Sequence, residues 1–448
     1  MSVSVTYTIE VGDADPAGTR YDVTDRVRGY NAAVTAPIGK FGRSNANIQL
    51  QNHDGALTPG AGGTFGAVDW FKQGVFVYAD IVGPTSTVTV DVFHGIVVDF
   101  DLIDDGVTSE VLLSCVDVLT VGGQSVSEFE SPAGSGISTG AANWIRFAFN
   151  GYPSGSVTLS GVDLPLLGES DSEANVENLT ISPTSLQNTI GLSELSLSQP
   201  VLDWLNNTIL PSGPNVAWPT TVTFASSKAQ ANVSAFNSHL VRSDTTRNDL
   251  AFAENASAGE LPFRNLDRGF TTDQMINQAV VTNLDNTLAP AGTTTVRNEA
   301  SIADYGTRSI QTAAVMVGYD TSSRVNYNTR QLIAERYANV RADVEFVVRS
   351  FTVTDLMVNQ VVGSSQTSAE SFAQLLDVAD CPWQIVSVEY TPAGAVSSTT
   401  EHAVIVGRYV SGTPGETSVR LDLLPFTYVS AFVLDDSLLG VLDTDRLG

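Results

Sequence analysis

Lysine is nearly missing from this chain of 448 residues: only Lys40, Lys72 and Lys228 occur. Lysine and arginine together number 22 against 49 aspartates and glutamates, a formal net charge of −27. A tightly gripped nucleic acid is not expected, because such binding needs clustered cations to displace counterions. An anionic membrane would be repelled for the same reason. There are two cysteines and four histidines. Cys115 lies in an apolar stretch and Cys381 just before Pro382, so both read as small buried residues rather than a disulfide or a metal pair. No His-Glu-x-x-His, no zinc-spaced cysteine pair and no Gly-x-x-x-x-Gly-Lys-Ser/Thr occurs. Gly60-Ala-Gly-Gly63 lacks a following lysine and reads as a loop. Catalytic, cofactor-binding and metal-binding residues are therefore all assigned as none, and no cofactor is expected. Aromatic residues make up 8%, with no repeated Trp/Tyr platform of the kind sugar grooves use. No apolar run approaches the ~20 residues of a membrane span, so no membrane anchor is expected. No signal-peptide pattern follows Met1, which points to synthesis in the cytoplasm.

What is present is a folded chain. Hydrophobic residues reach 42%, and the length allows two to four domains with buried cores. So much like charge opposes a compact state at ordinary salt. Salt near molar strength cuts the Debye length to about 3 Å and screens it. The acidity fits a protein of a salt-rich environment, or a negative lumen past which DNA slides without sticking, or scattered surface acids with no function.

Strand patterns dominate both ends. Val3-Val5-Tyr7-Ile9-Val11 alternates with polar residues. Residues 46–51 alternate again and run into the turn Asn52-His-Asp-Gly55. Residues 74–82 and 86–93 follow, and Asp105-Gly106 marks a hairpin before 110–118. About six strands with no long helical period predict a small barrel or sandwich. From 120 to 255 Gly, Ser and Pro punctuate the chain. Helices are predicted at 200–210, where Pro200 fits a first turn, at 328–338, and from the capping box Thr367-Ser-Ala-Glu370 through Phe372 and Leu376. Strands return at 343–353, 383–390, 403–406 and 419–424. The last stretch, 432–447, reads as an extended apolar tail that packs either on its own domain or on a neighbouring subunit.

Two segments look alike. His94 to Leu119 and His402 to Phe426 both read as strand, Gly-containing turn, Thr-Ser, strand, with nearly equal spacing. Either one β-unit is present twice, or two hairpins merely resemble each other. His94 and His402 hold matching places, which implies a structural role at a strand start. His53 sits in a turn, and His239 has no ligand-spaced partner. Asp435, Asp436, Asp443 and Asp445 cluster, as do Asp13 and Asp15. In so acidic a chain these read as solvated faces before cation sites.

A family resemblance joins these pieces. Val23-Thr-Asp-Arg-Val27, Ile48-Gln-Leu-Gln-Asn-His-Asp-Gly-Ala-Leu-Thr-Pro59, residues 75–81 and Phe93-His-Gly-Ile-Val97 resemble the start of minor tail proteins of long-tailed phages. Residues 300–309, 332–337 and 433–447 are similar to later segments of the same proteins. The resemblance implies the central hub of a viral tail tip or baseplate. It implies a homotrimer with two related barrels per chain, joining a hexameric tail tube to a three-fold tip. The expected fold is mainly β with a few short helices: two related small β-barrel domains flanking α+β middle domains, tail-hub-like. The segments would be a barrel at 1–119, an α+β insertion at 120–265, a linking α+β segment at 266–340, a second barrel at 341–431 and a docking tail at 432–448. Expected partners are the tail tube or distal tail protein above and tip or fibre proteins below. Genomic DNA would pass through without specific binding. A hexameric distal tail protein, and a tail-tip protein that binds or degrades carbohydrate, are the alternatives. The acidity points to a virus of a haloarchaeon or another halophile.

Overall fold

The structure, a computed structural model, describes residues 3–12, 19–36, 42–60, 65, 68, 70–117, 250–257, 259–269, 275–284, 290–315, 347–361, 366–378 and 384–425; between 118 and 249 it describes short strands and isolated positions. The N-terminal part forms β1 (Ser4–Gly12), β2 (Arg20–Asp22), β3 (Val27–Thr35), β4 (Arg43–Gln51), β5 (Gly74–Val82), β6 (Thr87–Asp104) and β7 (Ser109–Val116). Three small sheets hold β8 (Phe129–Glu130), β9 (Ile137–Gly140), β10 (Tyr152–Ser154), β11 (Val157–Leu159), β12 (Leu179–Ser182), β13 (Thr189–Leu192), β14 (Thr220–Ala225) and β15 (Lys228–Ser234). Then come β16 (Leu250–Ala253), β17 (Arg264–Gly269), β18 (Gln278–Leu284), β19 (Pro290–Arg297), helix α1 (Glu299–Tyr305) and β20 (Ser309–Val315). The chain continues with β21 (Val347–Thr354), α2 (Asp355–Gln360), α3 (Gln366–Leu376), β22 (Ile385–Tyr390), β23 (Thr399–Thr413) and β24 (Glu416–Pro425). The predicted helix at 328–338 and the tail at 432–448 lie outside the described residues, as does most of 200–210.

The two expected β-barrels are not found. A single 13-stranded sheet runs β17-β21-β24-β23-β3-β4-β7-β6-β5-β1-β2, with β22 and β16 branching from β23. Its ends, β17 and β2, do not pair. The reason lies in β23. Its first half pairs with β22 through Tyr390↔Thr399 to Ile385↔Val404. Its second half leaves β22 and pairs with β3, from Gly407↔Thr35 to Gly412↔Tyr30. The C-terminal strands thus continue into the N-terminal ones instead of closing on themselves, and one hydrophobic core spans both from Val3 to Leu423.

A repeat is nonetheless built into this sheet. In the β6–β7 hairpin Val97↔Cys115 is followed by Asp99↔Ser114, leaving Val98 as a bulge. In β23–β24 Ile405↔Leu423 is followed by Gly407↔Asp422, leaving Val406 as a bulge. One constant offset superposes the two registers, and in each the bulged valine follows its histidine at the same distance. The neighbours match as well: Ile48 faces Leu113 and Phe351 faces Leu421. The orders β3-β4-β7-β6-β5 and β17-β21-β24-β23-β22 are the same unit twice, antiparallel throughout. A bulge adds one unpaired residue and bends the strand, which is where β23 changes partner.

The alternating strands follow their patterns. In β4 Ser44, Ala46, Ile48 and Leu50 are buried while Arg43, Asn45, Asn47 and Gln49 are exposed. The stretch with the capping box forms α3, which begins at Gln366, ahead of the box. Gln366 lies at its start and its Oε1 accepts from the backbone N–H groups of Thr85 and Ser86, both at 3.2 Å. Phe372, Ala373, Leu375 and Leu376 bury one face of α3, which packs on β5 and β6. A helix of the second unit therefore covers the sheet of the first.

Candidate functional site

The junction of β23 with β3 is where the two units meet, and the residues beneath it explain its stability. Arg408, on β23, is fully buried. Its guanidinium donates to the carbonyls of Leu375 and Leu376 at the C-terminus of α3, and to Val92 O on β6 at 2.9 Å. A cation there meets the negative end of the helix dipole and the carbonyls that α3 leaves unpaired. Beside it Tyr7 and Tyr30 pack edge to face at 4.8 Å, and the Tyr7 hydroxyl donates to Thr417 Oγ1 at 2.7 Å. Burial pushes Tyr7 up to about 12 and Tyr30 well above its ordinary value. Both therefore stay neutral. Gly412 lies against Tyr30, and a Cβ there would run into the ring.

Each unit also carries one polar latch. Asn52 follows β4 and is fully buried. Its backbone N–H donates to Ser109 O at 2.7 Å, and its amide donates to Ser109 Oγ at 3.3 Å and receives Leu57 N–H at 2.8 Å. Asp355 follows β21 in the matching place, and its Oδ1 accepts from Thr417 N–H at 3.2 Å. Burial raises the Asp355 carboxyl, while the N–H groups of Thr417 and Leu356 pull it back. The Asn52-His-Asp-Gly55 turn is thus a structural device: Gly55 takes φ +68, and Leu57 plugs the core. Asp54 is held well below the usual carboxylate range by the Arg26 guanidinium, which grips it at 2.8 and 2.7 Å.

A cavity of 480 Å³ lies between Asn31, Asn45, Asn47, Ser411, Arg264 and Arg420, among others. Amides and hydroxyls dominate its lining. Its arginines already have partners, Arg264 with Glu416 at 3.4 Å and Arg420 with Asp422 at 3.0 Å.

The histidines part company. His94 is buried, with its Nε2 3.4 Å from Asp91 Oδ1 and its ring against Phe76 and Tyr78. His402 is exposed. Both stand inside their strands rather than at a strand start. His53 is exposed in its turn and lies 3.5 Å from Arg28. His239, Cys381, the acids at 13 and 15 and those at 435–445 lie outside the described residues. Cys115 is buried, and burial pushes its thiol up. Among the described residues no group of three or more His, Cys, Asp or Glu could hold a metal ion. No helix among them is long and apolar enough to cross a membrane.

Sequence reasoning missed β3, β17 and Arg408. The repeat held the one available signal: Arg408 aligns with Phe100, so a charge stands where its counterpart is apolar.

No family model matches the sequence, and neither does any curated protein. Solved structures do match. The 43 kDa tail protein of prophage MuSo2 from Shewanella oneidensis aligns over 95% of this chain and 99% of its own, with a TM-score of 0.51 at 12% identity. The chain shares the fold of a prophage tail protein. The tail protein from Neisseria meningitidis MC58 aligns over 94% of this chain and 98% of its own at TM-score 0.48 and 12% identity. Prophage tail protein gp18 from Listeria monocytogenes EGD-e aligns over 93% and 94% at TM-score 0.42 and 9% identity. The first likeness concerns the fold, and it extends over nearly the whole of both chains.

Proposed function

We propose that this chain is a structural hub of a viral tail tip or baseplate and not an enzyme. Three copies assemble into a ring between the tail tube or distal tail protein above and tip or fibre proteins below. The observation that carries this reading is the doubled unit in one sheet. Three chains with two units each present six similar edges, which match a six-fold partner while keeping a three-fold tip. The fold shared with a prophage tail protein supports the setting. Genomic DNA passes through the ring without specific binding, in keeping with the scarcity of cations. The protein is made in the host cytoplasm and ends in the virion, and its acidity fits a salt-rich host. The segment boundaries at 119, 265, 340 and 431 stand as part of this proposal, with 432–448 docking on a neighbour.

A hexameric distal tail protein needs only one ring-forming unit per chain, so the second unit counts against it. A carbohydrate-degrading tip protein needs facing carboxylates and stacked aromatics in a cleft. The cavity beside Asn31 and Asn47 offers amides and hydroxyls instead. Negative-stain imaging of the purified protein in molar salt tests the proposal. Rings with three-fold averages and six lobes are expected; isolated single chains, or turnover of a polysaccharide by the same sample, would overturn it.

A further inference from the structure

The intrachain junction specifies the interchain one. β23 pairs with β22 before its bulge and with β3 after it. Its counterpart β6 pairs with β5 as far as Ile96. Beyond its bulge, on that same edge, β6 hydrogen-bonds to no strand among the described residues. The counterpart of β3 is β17, which stands at the end of the strand order. One chain therefore carries the two halves of a junction like the one it already makes internally. We propose that residues 99–104 of one copy pair antiparallel with β17 of a second copy. This deepens the trimeric reading above and rests on it.

The register follows from the repeat. Tyr409 faces Ala33, and Arg408 faces Val34. Ala33 and Val34 face Asn45 and Ser44 on β4, as Arg268 and Gly269 face Val348 and Val347 on β21. Asp101 takes the place of Tyr409 and therefore faces Arg268. Ser411 faces Asn31, and Asn31 faces Asn47 as Asp267 faces Ser350, so Ile103, in the place of Ser411, faces Asp267. Gly29 lies beside Thr413 and faces Gln49 as Arg264 faces Thr352, so Asp105, in the place of Thr413, comes beside Arg264. Asp101 adds a second acid to Arg268, which already holds Glu401 at 2.9 Å, and Asp105 adds one to Arg264, which holds Glu416 at 3.4 Å. Cross-strand pairs of opposite charge are favourable.

Exposure agrees. Val410, which lies beneath the internal junction, is 1% exposed, whereas its counterpart Leu102 is 42% exposed and Ile103 is 51% exposed. Pairing with β17 would cover Leu102 as β3 covers Val410. The irregular register and the charges of β17 could instead serve to blunt an edge strand. The complementary acids on β6 favour a partner over a guard. The contact is head to tail, so it either closes into a ring or runs on as a filament.

Disulfide trapping tests the register. A chain carrying Ile103→Cys is mixed with one carrying Asp267→Cys in molar salt and oxidised; Asp105→Cys with Arg264→Cys is a second pair. A reducible band of two chains is expected from either mixture and from neither variant alone. Both cysteines in one chain should give a ladder that stops at three chains. A ladder running past three would keep the junction and overturn the trimer. If the unmodified protein is a trimer by light scattering but neither pair cross-links, the junction is wrong and the hub reading survives. If the unmodified protein is a monomer, both fall.

Discussion

The β6–β7 and β23–β24 hairpins are one structure in two surroundings. They share register, bulge position and a latch residue, Asn52 or Asp355. They differ beyond the bulge. In β23 that half carries a buried arginine and a tight glycine, and it is covered by β3. In β6 it carries Phe100 and Asp104 and pairs with no strand on that edge among the described residues. Where the internal junction is permanent, the residues are specialised to hold it. The matching half of β6 carries the exposed acids Asp101 and Asp104 instead.

The comparison breaks most readily at Arg408. Arg408→Leu leaves the Leu375, Leu376 and Val92 carbonyls without their donor and should cost about 3–5 kcal/mol. Phe100→Leu, at the matching place, should cost less than about 1.5 kcal/mol. Denaturant midpoints of the two variants check this, and equal losses would remove the asymmetry. Next comes the glycine. Gly412→Ala presses on Tyr30 and should cost about 2 kcal/mol, whereas Asp104→Ala should stay within about 0.5 kcal/mol. Thermal unfolding of both is the measurement.

The latches complete the comparison. Asn52→Ala orphans buried groups and should cost about 1–3 kcal/mol. Asp355→Asn should change stability by less than about 1 kcal/mol, because an amide keeps the acceptor for Thr417 N–H. Its pH dependence has a definite sign. The folded carboxyl is raised, so the protonated form is favoured in the fold. That contribution is complete below the ordinary carboxylate value and is lost as pH rises through the folded value. The Asn variant should therefore gain on the parent as pH rises from acid to neutral. A gain in the opposite direction, in unfolding curves taken across that range, would contradict the assignment.

Much of the sheet was legible because its strands alternate. Residues 3–11 and 46–51 alternate apolar with polar residues, and both fall in strands. Helix α3 was legible from a Ser/Thr-rich start and the spacing of Phe372 and Leu376. The strands that decide the architecture were not. β3 reads Gly29, Asn31, Ala32 and Ala33 through its middle, residues with little preference for strand. β17 reads Arg-Asn-Leu-Asp-Arg-Gly and pairs with register shifts on both sides of Asp267. Both are strands because of what they pair with, and such pairing is not local. The expectation of barrels failed on the same point. The repeat was visible between His94 and Leu119 and between His402 and Phe426, but the edge that each copy meets was not. Arg408 was hidden because its partners are backbone carbonyls on β6 and α3, to which no local motif points.

The most direct test of the whole account is the native mass of the purified protein by light scattering in molar salt. The account predicts three times the 47.4 kDa of one chain, falling towards a single chain in dilute buffer as unscreened like charge drives the copies apart. A stable single chain in both buffers, or a six-chain assembly, would contradict it.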